Sequence, residues 1–157
     1  MALKNPNRLL EAWKQTYPTY ESKKFTFFSF EQNNTKLLSS VLERAEDLSF
    51  ALSFFSGADL VAPFIRGVTK LQLYIKQPSD IERFKKLFDF QEVANGANVE
   101  LYIPYDEGVF YQTQKITTPF GKDIPVVSNI QLYMDLFNNP ARGVEQAEHL
   151  RELKLGF

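Results

Sequence analysis

The stretch 69-TKLQLYIK-76 sets Leu71, Leu73 and Ile75 in strict alternation with Lys70, Gln72, Tyr74 and Lys76. Successive side chains of a strand point to opposite faces, so this pattern predicts a half-buried β-strand. Before it, 48-LSFALSFF-55 reads as a buried strand, with Ser56 capping a short helix that Pro63 distorts or ends. After it, Pro78-Ser79-Asp80 starts a helix whose apolar face is Ile81, Phe84, Leu87 and Phe88.

The rest of the chain repeats this mixture. Asn5-Pro6 opens a first helix, with Leu9, Leu10, Trp13 and Tyr17 at helical spacing and Pro18 ending it. The aromatic run 23-KKFTFFSF-30 reads as a strand. A helix starts at Asn34 or Thr35 and carries Leu37, Leu38, Val41, Leu42 and Ala45 on one side. Then come a turn at 94-ANGAN-98, a strand from Val99 to Ile103 stopped by Pro104, and a turn at 105-YDEG-108. Val109-Phe110-Tyr111 begins a returning strand, 118-TPFGKDIP-125 is turn-rich, and Val126-Val127 form a short strand. Strands mixed with helices, with hairpin-like turns late in the chain, predict an α+β fold. The expectation is a single domain over residues 1–157, with a mixed, mostly antiparallel sheet packed with helices and a C-terminal helical pair.

Composition narrows the function. At 157 residues the chain has the length of one domain, and fifteen Phe with seven Tyr supply an aromatic core. A net charge of −1 lacks the basic excess typical of nucleic-acid binders. With no Cys, disulfides, thiolate zinc sites and cysteine nucleophiles are excluded. No run approaches the roughly 18 apolar residues that span a bilayer, and the polar start MALKNPNR is no signal peptide, so a cytoplasmic location is expected.

No phosphate loop, dinucleotide fingerprint, nucleophile elbow or zinc-ligand spacing occurs. No cofactor is expected, and the chain reads as non-enzymatic. Asp106-Glu107 is a carboxylate pair that suits either a hard-metal site or, more simply, a turn in which Asp caps its own backbone. His149, the one His, lies four residues after Glu145 and reads as its surface partner on a helix. Lys23, Lys24, Lys36, Arg66, Lys70, Lys76, Arg83, Lys85 and Lys86 read as solvated surface, since no aromatic stacking pattern accompanies them.

The least generic stretch is 128-SNIQLYMDLFNNPARGVEQAEHLR-151. Ser128 caps a helix that is apolar almost all round and therefore buried, broken at Asn138-Asn139-Pro140 and followed by an acidic helix. At about 100° per residue, Ser128, Gln131 and Asp135 form one polar thread. A buried carboxylate needs a partner, and Arg142, just past the break, is the expected one, bracing the two helices. The alternative is that the thread, with the acidic face of Glu145, Glu148 and Glu152, meets a partner protein.

Two words, 95-NGANVELYIPYDEGVFY-111 and 125-PVVSNIQLYMDLFNNPARGVEQAEHLRE-152, resemble the C-terminal region of the AbiEi-like antitoxins, transcriptional regulators of type IV (abortive-infection) toxin–antitoxin systems. The opening NPNRLLEAWKQTY and the central LSFALSFFSGADLVAPFIRGVTKLQLYIK are similar to the same region. Asn98, Pro104, Tyr105, Asp106, Gly108 and Val109 match the first word. Ser128, Gln131, Leu132, Asp135, Arg142, Gly143, Glu145, Ala147 and Glu148 match the second. The resemblance implies a regulatory antitoxin domain acting by protein contacts, a nucleotidyltransferase-like toxin as partner, and DNA binding only through an N-terminal winged helix that this chain lacks. It implies no catalytic residue. The candidate polar cluster is thus Ser128, Gln131, Asp135, Arg142, Glu145 and Glu148, and the candidate turn is Asn98, Tyr105 and Asp106. Two other classes stay open. A metal-dependent nucleic-acid or nucleotide enzyme would bring Asp106, Glu107, Asp135 and Glu148 together around a divalent ion. A plain dimerisation domain would leave an apolar patch outside.

Overall fold

The alternating stretch becomes β3 (Leu71–Ile75), the central strand of a seven-stranded sheet. The computed structural model describes residues 4–17 and 22–157. Around β3 lie α1 (Pro6–Thr16), β1 (Lys23–Phe28), α2 (Asn34–Arg44), β2 (Phe50–Leu52) and α3 (Phe54–Val61). Beyond it come α4 (Asp80–Leu87), β4 (Gln91–Glu92), β5 (Val99–Ile103), β6 (Gln114–Thr117), β7 (Asp123–Val126), α5 (Asn129–Phe137) and α6 (Gly143–Leu150). The sheet order is β4-β1-β5-β3-β2-β7-β6. Only the β3–β5 and β2–β7 pairs are parallel, so the fold is α+β with a mixed, mostly antiparallel sheet.

All five residues of β3 are buried, which corrects the half-buried expectation. Helices cover both faces. Leu71, Leu73 and Ile75 pack with Leu37, Val41, Ile81 and Phe84 of α2 and α4. Tyr74 points the other way, into a second core with Leu10, Ala58, Leu132, Leu136 and Leu150 of α1, α3, α5 and α6. The polar members of the alternation, Gln72 and Tyr74, therefore face protein and must find internal partners.

Local signals explain most boundaries. The Asn5 side chain caps α1 through the Arg8 N–H, and Asn33 caps α2 through Lys36. On α1, Leu10 and Tyr17 are buried while Leu9 and Trp13 stay exposed, so the apolar spacing marks a flank as well as the buried face. Pro18 lies outside the described residues. The expected strand 48–55 is shorter: it ends at Leu52, and the chain turns at once into α3. Phe54 takes the left-handed φ of 51°, an uncommon position for a bulky residue. Its ring is held against Tyr102, at 4.6 Å between centroids, and against Tyr74. Ser53, not Ser56, is the N-cap residue; the Ser56 hydroxyl instead donates to the Lys70 carbonyl and accepts from the Gln72 N–H. Val109-Phe110-Tyr111 does not begin a strand. Glu107–Phe110 is a 3₁₀ turn, and the antiparallel partner of β7 begins at Gln114.

Candidate functional site

The polar thread of α5 runs inside the molecule. Ser128 caps the helix, its hydroxyl accepting from the Gln131 N–H at 3.2 Å. One turn further, Asp135 has no solvent exposure at all. Its carboxylate takes four donors: the Tyr17 hydroxyl (2.9 Å), the Tyr74 hydroxyl (2.9 Å), the Ser53 hydroxyl (2.5 Å) and the Gln131 amide (3.0 Å). Gln131 also donates to the Tyr17 oxygen. Asp135 thus ties the end of α1, β3, the β2–α3 junction and α5 to one point. Burial raises its pKa and the four donors oppose the rise, leaving it pushed up to about 6. Burial, and then the Asp135 charge, hold the Tyr17 and Tyr74 phenols protonated far above their ordinary range.

Arg142 does not brace Asp135. It takes a left-handed φ of 62° at the start of α6, and its guanidinium points to solvent, where it pairs with Glu145 at 2.8 Å. Both side chains are exposed, so this pair contributes little. The corner between α5 and α6 is set by Gly143 instead: a Cβ there would lie 2.0 Å from the Leu136 carbonyl oxygen. Glu148 accepts from the Tyr133 hydroxyl at 3.0 Å. Arg151 lies close to both and also reaches Glu11 at 2.7 Å and Asn7, fastening α1 to the C-terminal helices. His149 stacks on Phe64 at 4.7 Å, while Glu145 is turned to Arg142.

A second buried carboxylate, Glu100 of β5, carries more charge chemistry than the thread. Its Oε2 meets the Lys24 ammonium at 2.7 Å and the Lys70 ammonium at 3.7 Å. Its Oε1 accepts from Gln72 at 2.8 Å and from the Tyr102 hydroxyl at 3.4 Å. Burial raises the Glu100 pKa, but Lys24, Gln72 and Lys70 outweigh it and hold the carboxyl below its ordinary value. This group floors a cavity of about 460 Å³ between the sheet, the start of α3 and the α5–α6 turn. Its sequence signal was one acidic residue inside the apolar strand VELYI.

Residues 2–155 match the family described as transcriptional regulator, AbiEi antitoxin, type IV toxin–antitoxin system. The chain belongs to the AbiEi antitoxin family. No curated protein and no solved structure matches it. In this AbiEi-family chain the turn word serves the backbone. Asn98 clamps the end of β1, accepting from the Ser29 N–H at 2.7 Å and donating to the Ser29 carbonyl at 2.8 Å. Asp106 accepts from the Gly108 N–H at 2.6 Å, closing its own turn. Tyr105 packs edge-on against Tyr17 at 5.7 Å.

The four carboxylates of the metal-enzyme reading do not converge. Asp135 is enclosed by hydroxyls, Asp106 caps Gly108, and Glu148 meets Tyr133. Among the described residues no three of His, Asp or Glu are grouped to hold a metal ion. None of the described helices is long and apolar enough to cross a membrane.

Proposed function

We propose that this AbiEi-family chain is the non-enzymatic antitoxin and regulatory part of its system. It acts through protein contacts, with a nucleotidyltransferase-like toxin as partner and operator recognition supplied by a winged-helix module. The observation that carries this reading is the division of labour in the C-terminal pair. The polar side chains of α5 are spent on internal bonds, whereas α6 and its continuation turn Val144, Glu145, Glu152 and Leu153 outward. Exposed carboxylates suit a basic protein face, where opposite charges raise the encounter rate and select the partner. Co-expression with a nucleotidyltransferase-like toxin from the same host tests it. The parent chain is expected to co-purify with the toxin. The double variant Glu145→Lys, Glu152→Lys is expected to lose at least tenfold in capture while melting close to the parent. Equal capture by the variant sinks the α6 contact; no capture by the parent sinks the reading that the chain acts by direct contact with the toxin.

A further inference from the structure

We propose that the cavity above Glu100 is a binding pocket for a small organic anion, with a carboxylate or phosphate head held by Lys24 and Lys70 and an apolar body against Phe55, Ile65 and Pro140. Helices α3, α5 and α6 cover this face of the sheet only in part. Over β1, β5 and the start of β3 the floor is left to polar side chains. A volume of about 460 Å³ lies in the range that takes a small ligand.

The charge arrangement selects the sign. Two ammonium groups share one carboxylate, so the floor carries one positive charge in excess. Glu100 is itself buried, at 3% exposure, and both its oxygens are engaged by Lys24, Gln72 and Tyr102. It therefore holds the lysines in place and offers little to a cation. Gln72 is locked too, its carbonyl oxygen accepting from the Phe55 N–H at 3.1 Å while its amide serves Glu100. Each lysine side chain is half exposed, and Lys70, at 3.7 Å, is beyond hydrogen-bond distance of Glu100. Glu100 therefore leaves the Lys70 ammonium able to donate to an anion that enters. Two ammonium donors beside one buried, fully engaged carboxylate make an anion site, since charge-assisted hydrogen bonds strengthen as an entering ligand excludes water.

The pocket is independent of the toxin contact on α6 and is read on the chain alone. The probes are phenyl phosphate, benzoate, inorganic phosphate and phenol, titrated into the ¹⁵N-labelled 157-residue protein and followed by NMR. Phenyl phosphate or benzoate is expected to shift the amides of Lys70, Gln72, Glu100 and Ala141 saturably, and the better of the two names the head group. Inorganic phosphate should bind at least tenfold more weakly and phenol not measurably. Lys70→Gln is expected to weaken the better probe about tenfold, as loss of one charge-assisted bond requires. Ala141→Trp, which fills the pocket while leaving each charged side chain in the sequence, should abolish binding while its spectrum stays folded. Absence of saturable shifts at millimolar probe overturns the proposal, as does unchanged affinity in both variants.

Discussion

A carboxylate with no solvent exposure stands or falls with its donors, and Asp135 has four. Removing it leaves the Ser53, Tyr17 and Tyr74 hydroxyls buried without their acceptor, at about 1–3 kcal/mol for each unsatisfied group, partly relieved by rearrangement. Asp135→Ala is therefore expected to destabilise the protein by about 3–5 kcal/mol, and Arg142→Ala by less than about 1 kcal/mol, in chemical denaturation. Equal losses would restore the Asp135–Arg142 brace. The same residue sets a pH dependence. Its carboxyl titrates at 3.8 when unperturbed and at about 6 in the fold, so the folded state holds the proton more tightly. The resulting stabilisation is complete below about pH 4 and is lost as pH rises through 6, a change of about 3 kcal/mol. Glu100, whose pKa is lowered, runs the other way, its contribution present above about pH 4.5 and lost on acidification. The two are separated by Asp135→Asn. The stability difference between parent and this variant should drift across pH 4–7, while the Glu100 contribution cancels.

At the scale of elements, the corner between α5 and α6 depends on a missing side chain. Gly143 sits so close to Leu136 that a Cβ would collide with backbone, which cannot swing away. Gly143→Ala is expected to cost about 2–3 kcal/mol in thermal or denaturant melts. Gly67→Ala, at a left-handed φ of 72° with open space around it, should cost nearer 1 kcal/mol. A Gly143 variant as stable as the parent would mean that the corner relaxes freely. Local signals made several elements legible: Asn5 before Pro6 and Ser128 three residues before Gln131 read correctly, and the alternation marked β3 as a strand, though not its burial on both faces. They failed where a single residue redirects the chain. Ser53-Phe54 turns a β-rich run into α3 through a left-handed φ, and Arg142 leaves the corner by another. Neither residue type announces that conformation, because tertiary contacts hold it: the aromatic stack at Phe54 and the Leu136–Gly143 approach at the corner.

At the scale of the whole molecule, the sheet guards its edges. One edge, β4, is two residues long, and the other, β6, shows Lys115 and Thr117 to solvent. Short and charged edges resist pairing with a second sheet. The large exposed apolar side chains are spread over α1, β1 and the residues just after it, the loop after α3, the turns at Tyr105 and Tyr111, α5, α6 and the C-terminal segment. That dispersal disfavours a single docking patch. Light scattering at high concentration is accordingly expected to return the mass of one chain, and a concentration-dependent doubling would revive the dimerisation reading.

By itself the sequence determined the α+β class, the caps of α1 and α5, the buried character of α5, and the family, because these rest on periodicity, local hydrogen bonding and extended similarity. Only the tertiary structure decided which charges meet. Asp135 and Arg142 are seven positions apart and do not pair; Lys24, Lys70 and Glu100 are distant in sequence and share one cavity floor. Strand order decides that. β5 lies between β1 and β3, so residues from three separate segments fall side by side on one face.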